Sequence, residues 1–209
     1  MQKPNLEFEN TCGFPVKKIA GVDEVGRGCI AGPVVAATVL LPQEKKLWNE
    51  PWIEWIHDSK KLSAQKREEL YPLIQNWALD YSIQWASIEE IDTINIFHAS
   101  HLAMIRSMES IKKKTDFFLV DGKFLPISNL PMKAVIKGDL KCISIACASI
   151  LAKVYRDRLM VKLEKDCPGY GFAQHKGYPT KIHLNALKLK GISEFHRKSF
   201  APVAKYVLE

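Results

Sequence analysis

Apolar and polar positions fall into blocks whose period changes along the chain. Lys18 to Asp23 is a short, mostly apolar run that ends at the loop Gly26-Arg27-Gly28. Val34 to Leu41 is apolar and rich in β-branched residues, and it is bounded by Pro33 and Pro42. Such a run predicts a buried strand, and two runs joined around a glycine loop predict an antiparallel pair. Trp48, Trp52, Trp55 and Ile56 recur at helical spacing. Ser63 is a candidate N-cap for a helix carrying Leu70, Leu73, Ile74 and Trp77, which Pro72 is expected to kink or split. Tyr81 to Ala86 predicts another strand, and Ser87 to Glu90 fits a capping box. Ile94, Phe97, His98, His101, Leu102, Ile105 and Met108 then share one helical stripe. Phe117–Val120 and Lys133–Ile136 predict two further strands, and the Ala-rich stretch from Cys142 to Lys165 predicts a long helix. Residues 1–16 carry Pro4, Gly13 and Pro15 and read as an irregular arm. Strands first joined as a hairpin and then separated by helices predict a mixed α/β sheet with a helical C-terminal region.

Composition narrows the class. The chain has 209 residues, 47% hydrophobic and 25% charged, which suits one folded domain with a sizeable core and excludes wholesale disorder. The longest nearly apolar run, Cys29 to Leu41, is shorter than the roughly 20 residues a membrane span needs. The N-terminus MQKPNLEFEN has no apolar stretch of the kind a secretory signal requires. Cys12, Cys29, Cys142, Cys147 and Cys167 are odd in number and form no CxxC pair. Reduced thiols in a cytoplasmic protein are therefore expected, and a zinc site is not. The net charge is +7, and residues 176–205 hold seven bases (Lys176, Lys181, Lys188, Lys190, Arg197, Lys198, Lys205) against Glu194 alone. A polyanionic partner that meets this C-terminal segment is the expectation.

Carboxylates stand at the ends of the predicted strands. Asp23 and Glu24 close the first, Asp121 closes another, and Asp139 precedes the long helix. In α/β sheets sites form at strand ends. Carboxylates gathered there would repel one another unless a hard cation such as Mg²⁺ or Mn²⁺ lay between them, and a pair of such ions can assist phosphodiester hydrolysis. Plainer readings stand beside this one. Asp121-Gly122 is a common turn pair, and Asp139 could cap the following helix. Asp23 and Glu24 would point to opposite faces unless the strand ends or bulges there. Gly26 and Gly28 could serve a turn needing positive φ, or could let a nucleic-acid backbone approach the main chain.

Taken together the motifs resemble the ribonuclease HII family. They are Gly21-Val22-Asp23-Glu24-Val25-Gly26-Arg27-Gly28 with Ala31 to Ala37, Asp58 to Ser63, Val120-Asp121-Gly122, and Lys137-Gly138-Asp139 with Ser149 to Asp157. His175 to Thr180 and His196 to Phe200 complete the set, in register from about residue 19 to 202. The resemblance implies a ribonuclease-H-like fold, with a five-stranded mixed sheet, flanking helices and a C-terminal helical segment. It implies one catalytic domain over 1–209, with an α/β core over about 18–165 and a basic helical segment over about 168–209. It also implies an endonuclease that cuts 5′ to a ribonucleotide, in RNA/DNA hybrids and in DNA with embedded ribonucleotides. The products are a 3′-hydroxyl and a 5′-phosphate, and the cellular roles are removal of misincorporated ribonucleotides and RNA primers. Asp23, Glu24, Asp121 and Asp139 map onto the family's acidic ligands for Mg²⁺ or Mn²⁺, two ions with substrate bound. Gly26, Arg27 and Gly28 map onto its 2′-hydroxyl-reading loop, and Tyr178 onto the tyrosine that stacks on the sugar at the junction.

Lys60, Lys153 and the C-terminal lysines are expected to meet phosphates, which position a duplex without reading its sequence. Cys29 stands where the family commonly has proline, and Lys123 where it commonly has an uncharged polar residue. His98 and His101 lie on an apolar stripe, so packing is expected of them before metal binding. Trp48, Trp52 and Trp55 read as packing residues, and His183 and His196 could meet phosphate. A monomer is expected. A non-catalytic nucleic-acid-binding protein of the same fold would have lost a carboxylate, and all four are present. A phosphoryl-transfer enzyme with a small substrate would have no use for the basic segment.

Overall fold

The computed structural model describes residues 3–207. Helix α1 (Glu7–Thr11) precedes strand β1 (Ile19–Val25), which turns back into β2 (Val34–Leu40). Two 3₁₀ turns follow, Lys45–Trp48 and Pro51–Trp55. Then come α2 (Ala64–Trp77), β3 (Asp80–Ala86) and α3 (Ile88–Glu109). Strands β4 (Phe117–Asp121) and β5 (Met132–Val135) lead through a 3₁₀ turn at Gly138–Leu140 into α4 (Ile143–Asp166). The C-terminal part holds α5 (Phe172–His175), α6 (Lys181–Lys190) and α7 (Ala201–Ala204). The strands form one five-stranded mixed sheet in the order β3-β2-β1-β4-β5, antiparallel at β1–β2 and β2–β3 and parallel at β1–β4 and β4–β5. The ribonuclease-H-like arrangement expected of the sequence is the one observed.

The continuous apolar run of β2 has a simple cause. Val35, Ala37 and Val39 face α2 and α4, while Val34, Ala36 and Leu40 face α3, so both faces of the strand are buried. At Gly21 the sheet meets α4 so closely that a Cβ would lie 2.2 Å from the Ser144 carbonyl carbon. Ser63 and Ser87 cap α2 and α3 as expected, and the Ser87–Glu90 capping box is complete.

Four local expectations are corrected. Pro72 does not split α2, because it sits on the exposed side while Leu70, Tyr71, Ile74 and Trp77 anchor the helix before and after it. The tryptophans lie on two 3₁₀ turns rather than one helix. Trp48 and Trp52 pack edge-on against Trp77, and Trp55 lies exposed beneath the Lys66 ammonium. The α3 stripe is interrupted at Asn95 (φ 63°), whose side chain accepts hydrogen bonds from the amides of Phe97 and His98 and so restarts the helix. The N-terminal arm contains α1, which is pinned because the buried Glu9 carboxylate accepts from both the amide and the hydroxyl of Ser144. No helix among the described residues is long and apolar enough to cross a membrane.

Candidate active site

The parallel pairing of β1 with β4 places Val22 beside Val120, so Asp23 and Asp121 end up at the same edge of the sheet. Beyond Val22, β1 pairs only with β2, and there Glu24 turns toward the same space. One ligand atom from each of Asp23, Glu24 and Asp121 lies within 4.8 Å of the others. The two adjacent carboxylates therefore do converge. Asp139 sits on the 3₁₀ turn ahead of α4, buried and within electrostatic reach of Asp121 and Asp23, but outside that tight trio. It is not a helix cap, since Cys142 holds the N-cap position of α4. Asp121 is no simple turn residue either, because its Oδ1 accepts a 2.6 Å hydrogen bond from the Gly138 amide and so ties β4 to the Asp139 turn.

These carboxyls are strained electrostatically. Burial, then the charges of Glu24 and Asp121, hold Asp23 well above the usual carboxylate range. Burial pushes Glu24 up to about 7, although Arg27 at 3.3 Å partly offsets it. Asp121 and Asp139 are also raised, chiefly by burial. Burial alone would pull the Lys60 ammonium down, but Asp139, Asp23, Asp58 and Asp121 together reverse this and raise it. Lys60 thus stands beside the acidic cluster. Asp58 accepts from the Lys60 amide and pushes Asp139 upward, a contribution that its place in the Asp58–Ser63 motif alone does not reveal.

The glycine loop lies next to the carboxylates through the Arg27–Glu24 pair. Gly26 has φ +100°, and a Cβ there would lie 2.3 Å from Arg156 Nε, so both backbone conformation and space demand glycine. Arg156 and Arg197 are fully buried beneath this loop, and among the described residues no carboxylate is bonded to either. Arg156 donates to the carbonyls of Pro33, Ala31 and Lys176. Arg197 donates to those of Gly32 and Arg27, and burial pushes its guanidinium down to about 9. Cys29 is buried, and its thiol donates to the Lys176 carbonyl at 3.5 Å. The Ile30 amide bonds the Gly177 carbonyl at 2.9 Å. The glycine loop and the Tyr178 loop are therefore fastened to one another.

Tyr178 is 39% exposed, and its ring lies 5.9 Å from Lys153 Nζ. Its carbonyl is held from behind by a chain of buried imidazoles. His183 Nδ1–H donates to it at 2.9 Å, which leaves His183 Nε2 to accept from His196 Nε2–H at 3.0 Å. His196 Nδ1 then accepts from the Ser193 amide at 3.0 Å. Every polar atom of both rings is satisfied in the neutral form.

This closes the option that His183 and His196 could meet phosphate, since both are fully buried. It also trims the basic C-terminal surface: Arg197 is internal, and Lys176 is only partly exposed. Lys153 is engaged with Asp157 at 2.8 Å. His98 and His101 pack on Phe97, as expected. Lys123 is exposed, with its ammonium 5.3 Å from the Phe124 ring.

A family model described as ribonuclease HII matches residues 20–203. The chain belongs to the ribonuclease HII family. Ribonuclease HII of Dehalococcoides mccartyi is 49% identical over 185 residues, which span 88% of this chain and 86% of that protein. Ribonuclease HII of Vibrio vulnificus is 50% identical over 187 residues, 90% of this chain and 87% of that one. In structure, the ribonuclease H2 of Pyrococcus horikoshii OT3 is similar with a TM-score of 0.72 and 25% identity, over 90% of this chain and 96% of the other. The chain is an enzyme of the ribonuclease H kind, an endoribonuclease.

Proposed function

We propose that this chain hydrolyses the phosphodiester 5′ to a ribonucleotide, in RNA/DNA hybrids and in DNA with embedded ribonucleotides. Water adds to phosphorus, the bond to the 3′-oxygen breaks, and the products are a 3′-hydroxyl and a 5′-phosphate. The observation that carries this reading is the carboxylate trio within 4.8 Å, set beside the glycine loop and an exposed Tyr178.

The donor set suits Mg²⁺ or Mn²⁺. It is all hard oxygen, and the raised carboxyls mark a negative cluster that a divalent cation relieves. Asp23, Glu24 and Asp121 would hold the ions, two with substrate bound, and Asp139 would complete the set. Bound there, such ions supply water activation and charge stabilisation at the departing oxygen. The remaining work belongs to the chain. Main-chain groups of Gly26, Arg27 and Gly28 bond the 2′-hydroxyl, the one group that separates RNA from DNA at a nucleotide. Tyr178 stacks on the next sugar and disfavours an extra hydroxyl there. Arg156 and Arg197 keep both loops in register, and Lys60 and Lys153 meet phosphates. In the cell the protein acts as a cytoplasmic monomer with a single catalytic unit, and it removes misincorporated ribonucleotides and RNA primers.

The test is cleavage of end-labelled duplex DNA carrying one ribonucleotide, with no metal, Mg²⁺ or Mn²⁺. A metal-dependent cut on the 5′ side of the ribonucleotide that disappears in Asp121→Asn is expected. Cleavage of long hybrids alone would remove the assigned roles of Tyr178 and the glycine loop.

A further inference from the structure

A cavity of about 390 Å³ opens between α2 and α4, away from the carboxylates. Arg67, Arg158, Lys162, Lys165 and Lys176 line it, and the acids among its lining residues are Glu68 and Asp157. Both acids are already engaged. Glu68 pairs with Arg158, and Asp157 is shared by Lys153 at 2.8 Å and Arg67 at 3.7 Å. Lys162 and Lys165 are exposed and form no ion pair among the described residues. Lys176 is half-buried among like charges. Its ammonium is pulled down first by burial and further by Lys153 and Arg67, against Asp157. The groove thus holds more cation than its own carboxylates balance.

We infer that this groove is a second phosphate-binding surface, which seats the backbone of the duplex flank 3′ to the cleaved ribonucleotide. The inference rests on the function proposed above. Charge complementarity selects a polyanion, and continuity with the cleft selects the same nucleic acid. Lys153 joins the two regions, with Asp157 on the groove side and the Tyr178 ring 5.9 Å away on the other. Arg67 also ties the groove to the cleft, because it donates to the carbonyls of Ser59 at 2.7 Å and Leu62 at 2.6 Å and so braces the loop that carries Lys60. Along α4, at ~1.5 Å per residue, Lys162 and Lys165 lie ~14 and ~18 Å beyond Lys153. At ~3.4 Å per nucleotide of one strand this is roughly four to five nucleotides past the junction.

The experiment compares two duplexes of equal total length with one ribonucleotide. One has a long 3′ flank, and the other has a 3′ flank of three base pairs. Wild type and Lys162→Gln/Lys165→Gln are assayed, with Lys112→Gln/Lys113→Gln as a control for lost net charge. On the long flank, the groove variant should raise KM about tenfold at low salt with kcat unchanged. It should also flatten the slope of log KM against log salt by about 2, as expected for two lost phosphate contacts. On the short flank its KM should match that of wild type. Equal KM values for wild type on both duplexes, or equal losses by the two lysine variants, would overturn the inference. If wild type cuts neither duplex, the cleavage reading fails instead. Equilibrium binding of the two duplexes without metal then still judges the groove, which requires the long flank to bind more tightly and the groove variant to abolish the difference.

Discussion

The imidazole chain behind Tyr178 makes stability depend on pH in a way that can be isolated. A free imidazole titrates near 6.5, but burial first, and then the neighbouring His175 ring, push His183 down to about 4 against the opposing hydrogen bond to the Tyr178 carbonyl. The folded state therefore resists a proton that the unfolded chain accepts. Stability from this site is complete above the unfolded value and is lost as pH falls from about 6.5 toward 4. With those two values, the loss is negligible at pH 8 and about 2 kcal/mol at pH 5. The acidic cluster works in the opposite direction, since raised carboxyls such as Glu24 take up protons in the fold and relieve repulsion on acidification. A simple pH profile of wild type would mix the two. His183→Gln separates them: Gln keeps one donor and one acceptor but does not titrate, and the carboxylates cancel in the difference. Urea denaturation of both proteins at pH 8, 7, 6 and 5 is the assay. Wild type should lose its advantage over the variant by about 2 kcal/mol between pH 8 and 5, or about 1 M in relative midpoint for a typical urea slope. A difference that stays constant with pH would refute the argument that these rings are held neutral.

Three further outcomes follow from the packing around the site. Asp121→Asn should lower metal-dependent cleavage on the order of 10³-fold or more, from the loss of several kcal/mol of charge stabilisation, while duplex binding by filter retention survives. Arg197→Met leaves the carbonyls of Gly32 and Arg27 unpaired, so a stability loss of about 3 kcal/mol by urea titration is expected. The same variant should cut ribonucleotide-containing duplex with a higher KM because the glycine loop is released, and an unchanged KM would show that the loop holds itself. Gly21→Ala drives a methyl into the backbone of α4 at 2.2 Å, and its thermal melt should reveal a loss of about 3 kcal/mol or a failure to fold.

Much of this architecture could be read along the chain because local signals and burial agreed. The β2 run between two prolines, the Ser87 capping box and the Ala-rich α4 each carry their own pattern, and the structure follows it. Asn95 restarts α3 through local bonds alone, but most of the other departures depend on partners distant in sequence. Pro72 breaks a helix only where its missing hydrogen bond is not outweighed by anchored neighbours, and no local rule shows that Ile74 and Trp77 provide the anchorage. The convergence of Asp23 with Glu24 requires knowing that β4 ends at Asp121. His183, His196 and Arg197 read along the chain as surface groups of a basic tail, because composition does not reveal that residues 195–197 run beside Ile30 and Gly32. Asp58 lay within a recognised block, but its effect on Asp139 appears only when the chain is folded.

The same folding separates two unbalanced charge groups by a single loop. On one side, Asp23, Glu24 and Asp121 crowd together with raised carboxyls. On the other, Arg156 and Arg197 are buried with no carboxylate partner among the described residues; both donate to carbonyl oxygens, and Arg197 Nη2 is left unpaired among the described residues. Each group costs stability on its own, because a buried charge is expensive unless it is paired. Their most direct link is Gly26–Gly28, where Arg27 reaches Glu24 with its side chain and receives Arg197 on its carbonyl. A structure selected for stability alone would move these charges together. Keeping them apart holds a rigid, main-chain-lined loop between a cation-seeking edge and a positive interior, the arrangement a polyanion with a scissile phosphate and a neighbouring 2′-hydroxyl requires.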